Sequence, residues 1–207
     1  MSQVLPAVII YDINLTMTLP AQMTVTSGLN SIAHAVEALY APEANPIHSS
    51  LAEQGITSIA RSIPAIIKDS QDKDARSDAL FGAWCGGTVL GAVGMSLHHK
   101  VRLPPTSGWP RALTALPPHG QLCHTLGGSF GMPHAETHTV ILPHAVAYNE
   151  PYAKVAIGRV AKALGVENAA QGLFDLAKDN GAPYSLKALG FKEEDLEKAA
   201  DIAAKAP

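Results

Sequence analysis

Residues 95–138 read MSLHHKVRLPPTSGWPRALTALPPHGQLCHTLGGSFGMPHAETH, and the middle of this stretch differs in character from its ends. The two ends are rich in histidine. The 21 residues from Val101 to Gln121 carry five prolines and almost no helical or strand periodicity. Unstructured loops of this length are uncommon inside compact domains. The pattern therefore predicts that residues 101–121 are an insertion into a histidine-rich functional site.

Removal of residues 101–121 restores a helical pattern. Lys100 then joins Leu122, and His99 and His124 fall four residues apart, which places them on one helix face. The flanks are interpreted as two halves of one helix. One hypothesis for the insert is a retained intron, since 21 codons keep the frame, every valine codon begins with GT and Gln121 can be CAG. The alternative is a genuine surface loop.

The residues before this stretch predict a buried central helix. No charged residue occurs from Phe81 to Leu97, and glycines recur there at steps of one to four residues. A membrane span is the competing interpretation, but the run is slightly short for one. Small residues at such spacing instead let helices cross closely.

Capping residues and apolar spacing predict further helices on both sides. Thr26 or Ser27 is the expected cap of a helix over 29–39, and Asn45-Pro46 is expected to open another that ends before Pro64. Amphipathic patterns predict the remaining helices at 152–164, 169–179 and 192–205, with a short helical turn at 185–189.

Val8–Tyr11 is a short β-branched run that predicts a strand. No other segment resembles a strand, although a single strand cannot satisfy its own edges. The predicted fold class is therefore mainly α, with one orphan N-terminal β-strand.

Composition restricts the class of protein. The 207 residues suit one domain, and 47% hydrophobic with 16% charged residues favours a large buried core. A net charge of −3 argues against a nucleic-acid partner. Two cysteines cannot build a disulfide framework, which favours a reducing cytoplasm, and no signal peptide is recognisable.

Histidine is unusually concentrated, with seven of nine between His98 and His144. His134 and His138 lie four apart after Pro133, a spacing suited to binding a divalent cation such as zinc, iron or nickel. Asn30 and His34 have the same spacing, and two interpretations of them stay open: a buried hydrogen-bonded pair, or ligands for a metal or substrate.

Five stretches carry a resemblance to a known family: VIIYDINLTMTLP (8–20), SGLNSIAHAVEALYA (27–41), DARSDALFGAWCGGTVLGAVGMSLHHK (74–100), LCHTLGGSFGMPHAETHTVILPHAVAYN (122–149) and KEEDLEKAADIA (192–203). They resemble the iron-containing alcohol dehydrogenase superfamily, and most closely its maleylacetate reductase branch. The resemblance implies that residues 1–20 are the end of a nucleotide-binding α/β domain. Residues 21–207 would form the helical catalytic domain, interrupted at 101–121 and trimmed relative to the family.

The resemblance also implies site residues. In the superfamily an aspartate and three histidines bind a divalent metal; here the matching positions are Asn30, His34, His99 and His134. His124 matches a histidine near the nicotinamide and is the candidate proton donor. His138 is a further catalytic candidate. Because a neutral amide is a poor ligand for a divalent cation, Asn30 argues against tightly held iron or zinc.

The implied reaction is reduction of maleylacetate to 3-oxoadipate by NADH or NADPH in aromatic catabolism. The expected partner is a small dicarboxylate, with no nucleic acid or membrane; a homodimer is compatible with the resemblance. The chain as given is predicted to be inactive alone, because the insert separates His99 from His124 and no glycine-rich pyrophosphate loop is present. The alternatives are a metal-dependent alcohol dehydrogenase, a non-catalytic helical interaction module, and a histidine-rich metal-storage protein.

Overall fold

The structure is a computed structural model that describes residues 8–93 and 122–205, with the side chains of His124 and of residues 203–205 left out. The helices of these ranges are α1 (Ala21–Tyr40), α2 (Pro46–Lys68), α3 (Lys73–Ala92), α4 (Leu122–Phe130), α5 (His134–Asn149), α6 (Lys154–Leu164), α7 (Ala169–Asp179) and α8 (Leu196–Lys205). Short 3-10 turns cover Ile13–Thr16, Lys187–Leu189 and Glu193–Asp195. The prediction of a mainly helical fold is confirmed.

The predicted strand at Val8–Tyr11 is wrong for the described chain. These residues are in no regular element, Val8 and Ile10 are 77% and 84% exposed, and no strand occurs in 8–93 or 122–205. A strand needs backbone groups of a neighbour to pair with, and the described helices satisfy their own. The proposed division at residue 20 remains a prediction.

Helix α1 is the centre of the fold. It packs against α2, α3, α5, α6 and α7. Its apolar face, including Val25, Leu29, Ile32 and Val36, is almost fully buried in the main core. A second, smaller core around Cys123, Leu126, Ile141 and Phe191 joins α4, α5 and α8. Helix α5 therefore contributes to both cores, whereas α1 belongs to the main core and α4 to the second.

Several predicted helix ends differ from the structure: α6 begins at Lys154 rather than 152, α8 begins at Leu196 rather than 192, and α1 and α2 differ as follows. α1 begins at Ala21 rather than after Thr26, because the Thr24 and Thr26 hydroxyls donate to the carbonyls of Pro20 and Gln22 inside the helix. α2 continues through Pro64 to Lys68, because burial of Ile63 and Ile66 outweighs the hydrogen bond that proline removes. The Asn45 cap is confirmed, since its Oδ1 accepts from the backbone N–H of Ile47 and His48.

The predicted buried central helix is buried on one face only over the described part of α3. Gly82, Cys85 and Val89 face the core, whereas Phe81 and Trp84 are 40% and 39% exposed. The helix ends at Ala92, and residues 94–121, which include the predicted insert and the flank before it, lie outside the described ranges. No helix in the described ranges is long and apolar enough to cross a membrane.

The close crossings predicted from the glycines occur at Gly82 and Gly86. A Cβ on Gly82 would lie 2.4 Å from Ile59 Cγ1, and one on Gly86 would lie 2.3 Å from Ser31 Oγ. A Cβ on Gly87 meets nothing within 4 Å. Glycine is therefore sterically required only on the α3 face that touches α1 and α2.

Substitution at these glycines tests the crossing. Gly82→Ala is expected to lower the free energy of unfolding by about 1–3 kcal/mol, because the α2 backbone at Gly55 is also only 3.1 Å from the new Cβ. Gly87→Ala is the matched control and is expected to raise it by about 0.4–1 kcal/mol. Urea unfolding measures both; equal effects would contradict the packing described here.

Candidate functional site

One part of the site lies on α1. Asn30 and His34 face the same side of the helix, and a contact of 3.3 Å joins Asn30 Nδ2 to His34 Nε2. Asn30 Oδ1 is buried with no hydrogen-bond partner among the described residues. The amide oxygen is therefore available to a ligand, while the amide nitrogen is held against the imidazole.

The second part lies at the start of α5. Pro133 is the N-cap residue of this helix, with φ −64° and ψ 132°, so the chain turns into the helix at His134. His134 is exposed and His138 is fully buried, and their ring centroids are 4.3 Å apart. The predicted side-by-side arrangement of these two imidazoles is thus present, with one ring at the surface and one beneath it.

The helices that carry the two parts, α1 and α5, pack against each other. At the far ends of these helices, Tyr40 of α1 and Asn149 of α5 are both buried. Burial raises the pKa of the Tyr40 hydroxyl well above its usual value, and the negative charge of Glu37 raises it further. The Tyr40 hydroxyl is therefore neutral near pH 7.

The remaining candidate histidines are not all described beside the residues named above. His99 lies outside the described ranges, and for His124 only the backbone position on α4 is described. His144 follows His138 by six residues, which is about 240° around the helix, and it is exposed. It is therefore on a different face of α5 from His138.

The fit of a metal ion depends on the donors that are present. Within the described side chains, no three His, Cys, Asp or Glu residues come close enough to hold a metal ion. Asn30, which the resemblance matches to an anionic ligand, is neutral, and in one tautomer His34 Nε2 accepts a hydrogen from the Asn30 amide, so its lone pair is occupied. These donors fit a tightly bound divalent cation poorly.

One residue beside the site escaped the sequence analysis. Glu37 follows His34 by one helical turn and is 0% exposed. A single acid inside the apolar run AHAVEALYA was the available signal. Its burial could not be anticipated, since glutamate is seldom fully buried.

Comparisons with known proteins identify the family of the chain. The sequence pattern described as "Fe-containing alcohol dehydrogenase family, C-terminal" matches residues 24–109 and 114–207. A maleylacetate reductase from Burkholderia cepacia is 52% identical over 206 residues, which is 100% of this chain and 53% of that protein.

Two solved structures share the fold. The maleylacetate reductase from Rhizobium sp. strain MTP-10005 superposes with a TM-score of 0.85 at 45% identity, over 99% of this chain and 52% of that one. An iron-containing alcohol dehydrogenase from Corynebacterium glutamicum gives 0.82 at 35% identity, over 97% and 51%. The chain spans about half the length of these relatives. It belongs to the Fe-containing alcohol dehydrogenase family and corresponds to the helical C-terminal domain of that family.

Proposed function

We propose that the chain is the helical half of an NAD(P)H-dependent reductase that converts maleylacetate to 3-oxoadipate. The observation that carries this proposal is the combination of Asn30 against His34 with the paired imidazoles of His134 and His138 on the adjoining helix. The relatives named maleylacetate reductase match the chain over its whole length. Asparagine in place of an anionic ligand favours this reaction over a metal-dependent alcohol oxidation.

The chemistry requires stabilisation of negative charge on the substrate. The coenzyme, when bound, supplies a hydride, and the substrate carbon β to the ketone accepts it. The electron pair of the double bond moves toward the carbonyl, and the ketone oxygen becomes an enolate oxygen. Hydrogen-bond donors within about 3 Å of that oxygen lower the barrier. His34, His134 and His138 are the described side chains suited to this role, with the Asn30 amide as a further polar group.

A proton must then reach the neighbouring carbon to complete 3-oxoadipate. His124 is the proposed donor, because imidazole exchanges a proton near neutral pH. The donor regains its proton from solvent, so the balanced reaction consumes one NAD(P)H and one proton per maleylacetate. No metal ion is assigned a step.

A chimera tests the proposed function. This chain, with residues 101–121 removed, replaces the matching half of the Burkholderia cepacia enzyme, and oxidation of NADH or NADPH is followed with maleylacetate. We expect turnover within about 100-fold of the parent enzyme, and its loss in a His134→Ala, His138→Ala double variant. A folded chimera without turnover would refute the proposal. The 207-residue chain assayed alone is expected to show none.

The metal assignment gives a separate prediction. Asn30→Asp introduces the missing anionic ligand and is expected to increase the affinity for Zn²⁺ or Fe²⁺ about 10-fold or more, measured by equilibrium dialysis of the chimera. Asn168→Asp is the matched control, because Asn168 is an exposed helix cap remote from the site. Tight metal binding by the parent chimera, or no gain in Asn30→Asp, would contradict the interpretation of Asn30.

A further inference from the structure

A short turn joins the two helices that carry three of the candidate histidines. α4 carries His124, α5 begins at His134 and also carries His138, and residues 131–133 are the whole connection between them. The two helices also pack against each other. The conformation of this turn therefore sets where α5 begins relative to α4.

The first two residues of the turn are bonded to α4. The N–H of Gly131 donates to the carbonyl of Gly127 at 3.1 Å. The N–H of Met132 donates to the carbonyl of Leu126, also at 3.1 Å. These bonds satisfy carbonyls that have no partner inside the helix at its end. Met132 and Leu126 also belong to the second core, where they are 8% and 1% exposed, so this half of the turn is held by backbone and side chain together.

The last residue of the turn is bonded to α5. The carbonyl of Pro133 accepts a hydrogen from the Thr137 N–H at 3.0 Å and another from the Thr137 hydroxyl at 2.6 Å. Thr137 is 0% exposed, so these bonds are shielded from water. Each of the three residues of the turn is thus bonded to one helix or the other, and His134 follows directly after the last of them.

The turn depends on a backbone conformation that glycine adopts most readily. Gly131 has a φ of +65°, and in the described ranges all four residues with a positive φ are glycines. A Cβ on Gly131 would meet nothing within 4 Å, so a side chain fits there and only backbone strain opposes it. A residue that escaped this strain by turning to negative φ would redirect the chain and break the bonds from residues 131 and 132 to α4.

We propose that Gly131 is a positioning residue: its left-handed conformation closes the turn that holds His134 at a fixed place relative to α4. The consequence for catalysis rests on the proposed reductase function, in which His134 stabilises the enolate charge and His124 of α4 supplies the proton. The geometry of the turn does not rest on that function. A displacement of about 1 Å in a catalytic group can reduce the rate about 100-fold, so a small change in the turn is sufficient to be measured.

A second glycine of the chain provides a matched control. Gly165 follows α6 with a φ of +72°, and a Cβ there also meets nothing within 4 Å. α6 carries none of the candidate histidines. Alanine strains the backbone in the same way at either position, so we expect Gly131→Ala and Gly165→Ala each to increase the equilibrium constant of unfolding about 5-fold to 30-fold, measured in urea. An effect confined to Gly131→Ala then arises from the turn and not from lost stability.

Hydrogen exchange on the 207-residue chain tests the turn itself. In Gly131→Ala we expect the backbone amides of residues 131 and 132 to exchange about 10-fold faster or more relative to those of α1. In Gly165→Ala the same two amides are expected to change no more than those of α1. Unchanged exchange at residues 131 and 132 in Gly131→Ala, or an equal increase throughout α1, would overturn the proposal, since the left-handed residue would then not hold the turn.

Kinetics of the chimera test the catalytic consequence. Gly131→Ala is expected to lower kcat about 10-fold to 100-fold with KM for the coenzyme unchanged, whereas Gly165→Ala stays within about 2-fold of the parent. Gly131→Asn is expected to recover part of kcat, because asparagine tolerates the left-handed conformation better than alanine, and it keeps the test decisive if Gly131→Ala folds poorly. Equal kcat in Gly131→Ala and Gly165→Ala refutes the positioning role. An inactive parent chimera refutes the reductase function instead, and the exchange experiment still decides whether the turn depends on Gly131.

Discussion

Deleting residues 101–121 is expected to raise kcat of the chimera about 100-fold or more over the version that retains them. With the segment present, His99 and His124 are 25 residues apart in sequence; without it they are four apart, on one helix face. The proton donor and its neighbours then no longer depend on closure of a long loop, which costs entropy and leaves the reacting groups imprecisely placed.

A control deletion separates the effect of helical phase from the effect of loop length. Removing only residues 102–120 leaves Val101 and Gln121, so that His99 and His124 are six apart and about 240° apart around a helix. We expect this variant to be as inactive as the chimera that retains residues 101–121, although it keeps only two more residues than the full deletion. The measurement is the initial rate of NADH oxidation at saturating maleylacetate. Equal activity in the two deletions would contradict the shared-helix interpretation.

Sequencing the transcript addresses the origin of the segment independently. The intron hypothesis expects a message that joins the codon of Lys100 directly to that of Leu122. A message that consistently contains codons 101–121 would favour the surface-loop alternative, and the kinetic prediction would then apply to an engineered deletion rather than to the natural protein.

Local signals in the sequence were sufficient to predict features that depend only on residues close together in the chain, such as helix caps and neighbouring side chains on one helix. Asn45 caps α2 as predicted, and Gly165 ends α6 with φ +72°, a conformation that glycine adopts without strain. The i, i+4 pairs Asn30–His34 and His134–His138 were recognisable for the same reason, since helical geometry alone places such residues side by side.

The features that the sequence did not reveal depend on contacts between distant segments. Pro64 usually marks a helix end, yet burial of its neighbours carries α2 four residues further. Glu37 and Arg76 are of types normally found at the surface, and only the packing of other helices buries them. Val8–Tyr11 has strand propensity, but propensity cannot supply the pairing partner that a strand requires.

Arg76 is the buried residue whose loss is expected to cost the most stability. It is 1% exposed on α3, and its guanidinium donates to three separate parts of the chain. Nε and Nη2 reach the carbonyl of Ser70 at 3.2 Å, Nη1 reaches Thr24 Oγ1 at 3.1 Å, and Nη2 reaches the Leu19 carbonyl at 3.5 Å. The planar fork of arginine thereby joins the start of α1, the segment before it and the turn between α2 and α3.

Arg76→Met is expected to lower the free energy of unfolding by about 3 kcal/mol or more, because the side chain is replaced at similar length while the buried Thr24 hydroxyl and the carbonyl oxygens of Ser70 and Leu19 lose their donor. Arg76→Lys is expected to lower the free energy of unfolding by less than Arg76→Met. The loss is not zero, since an ammonium group cannot reach all three oxygens from one position. Arg61→Met is the matched control: the Arg61 side chain is 67% exposed in a 2.6 Å ion pair with Asp78, and its loss should cost about 1 kcal/mol at most. Urea unfolding of the 207-residue chain measures all three. Equal losses in Arg76→Met and Arg61→Met would show that the guanidinium does not hold these segments together, and that apolar contacts among α1, α2 and α3 are sufficient.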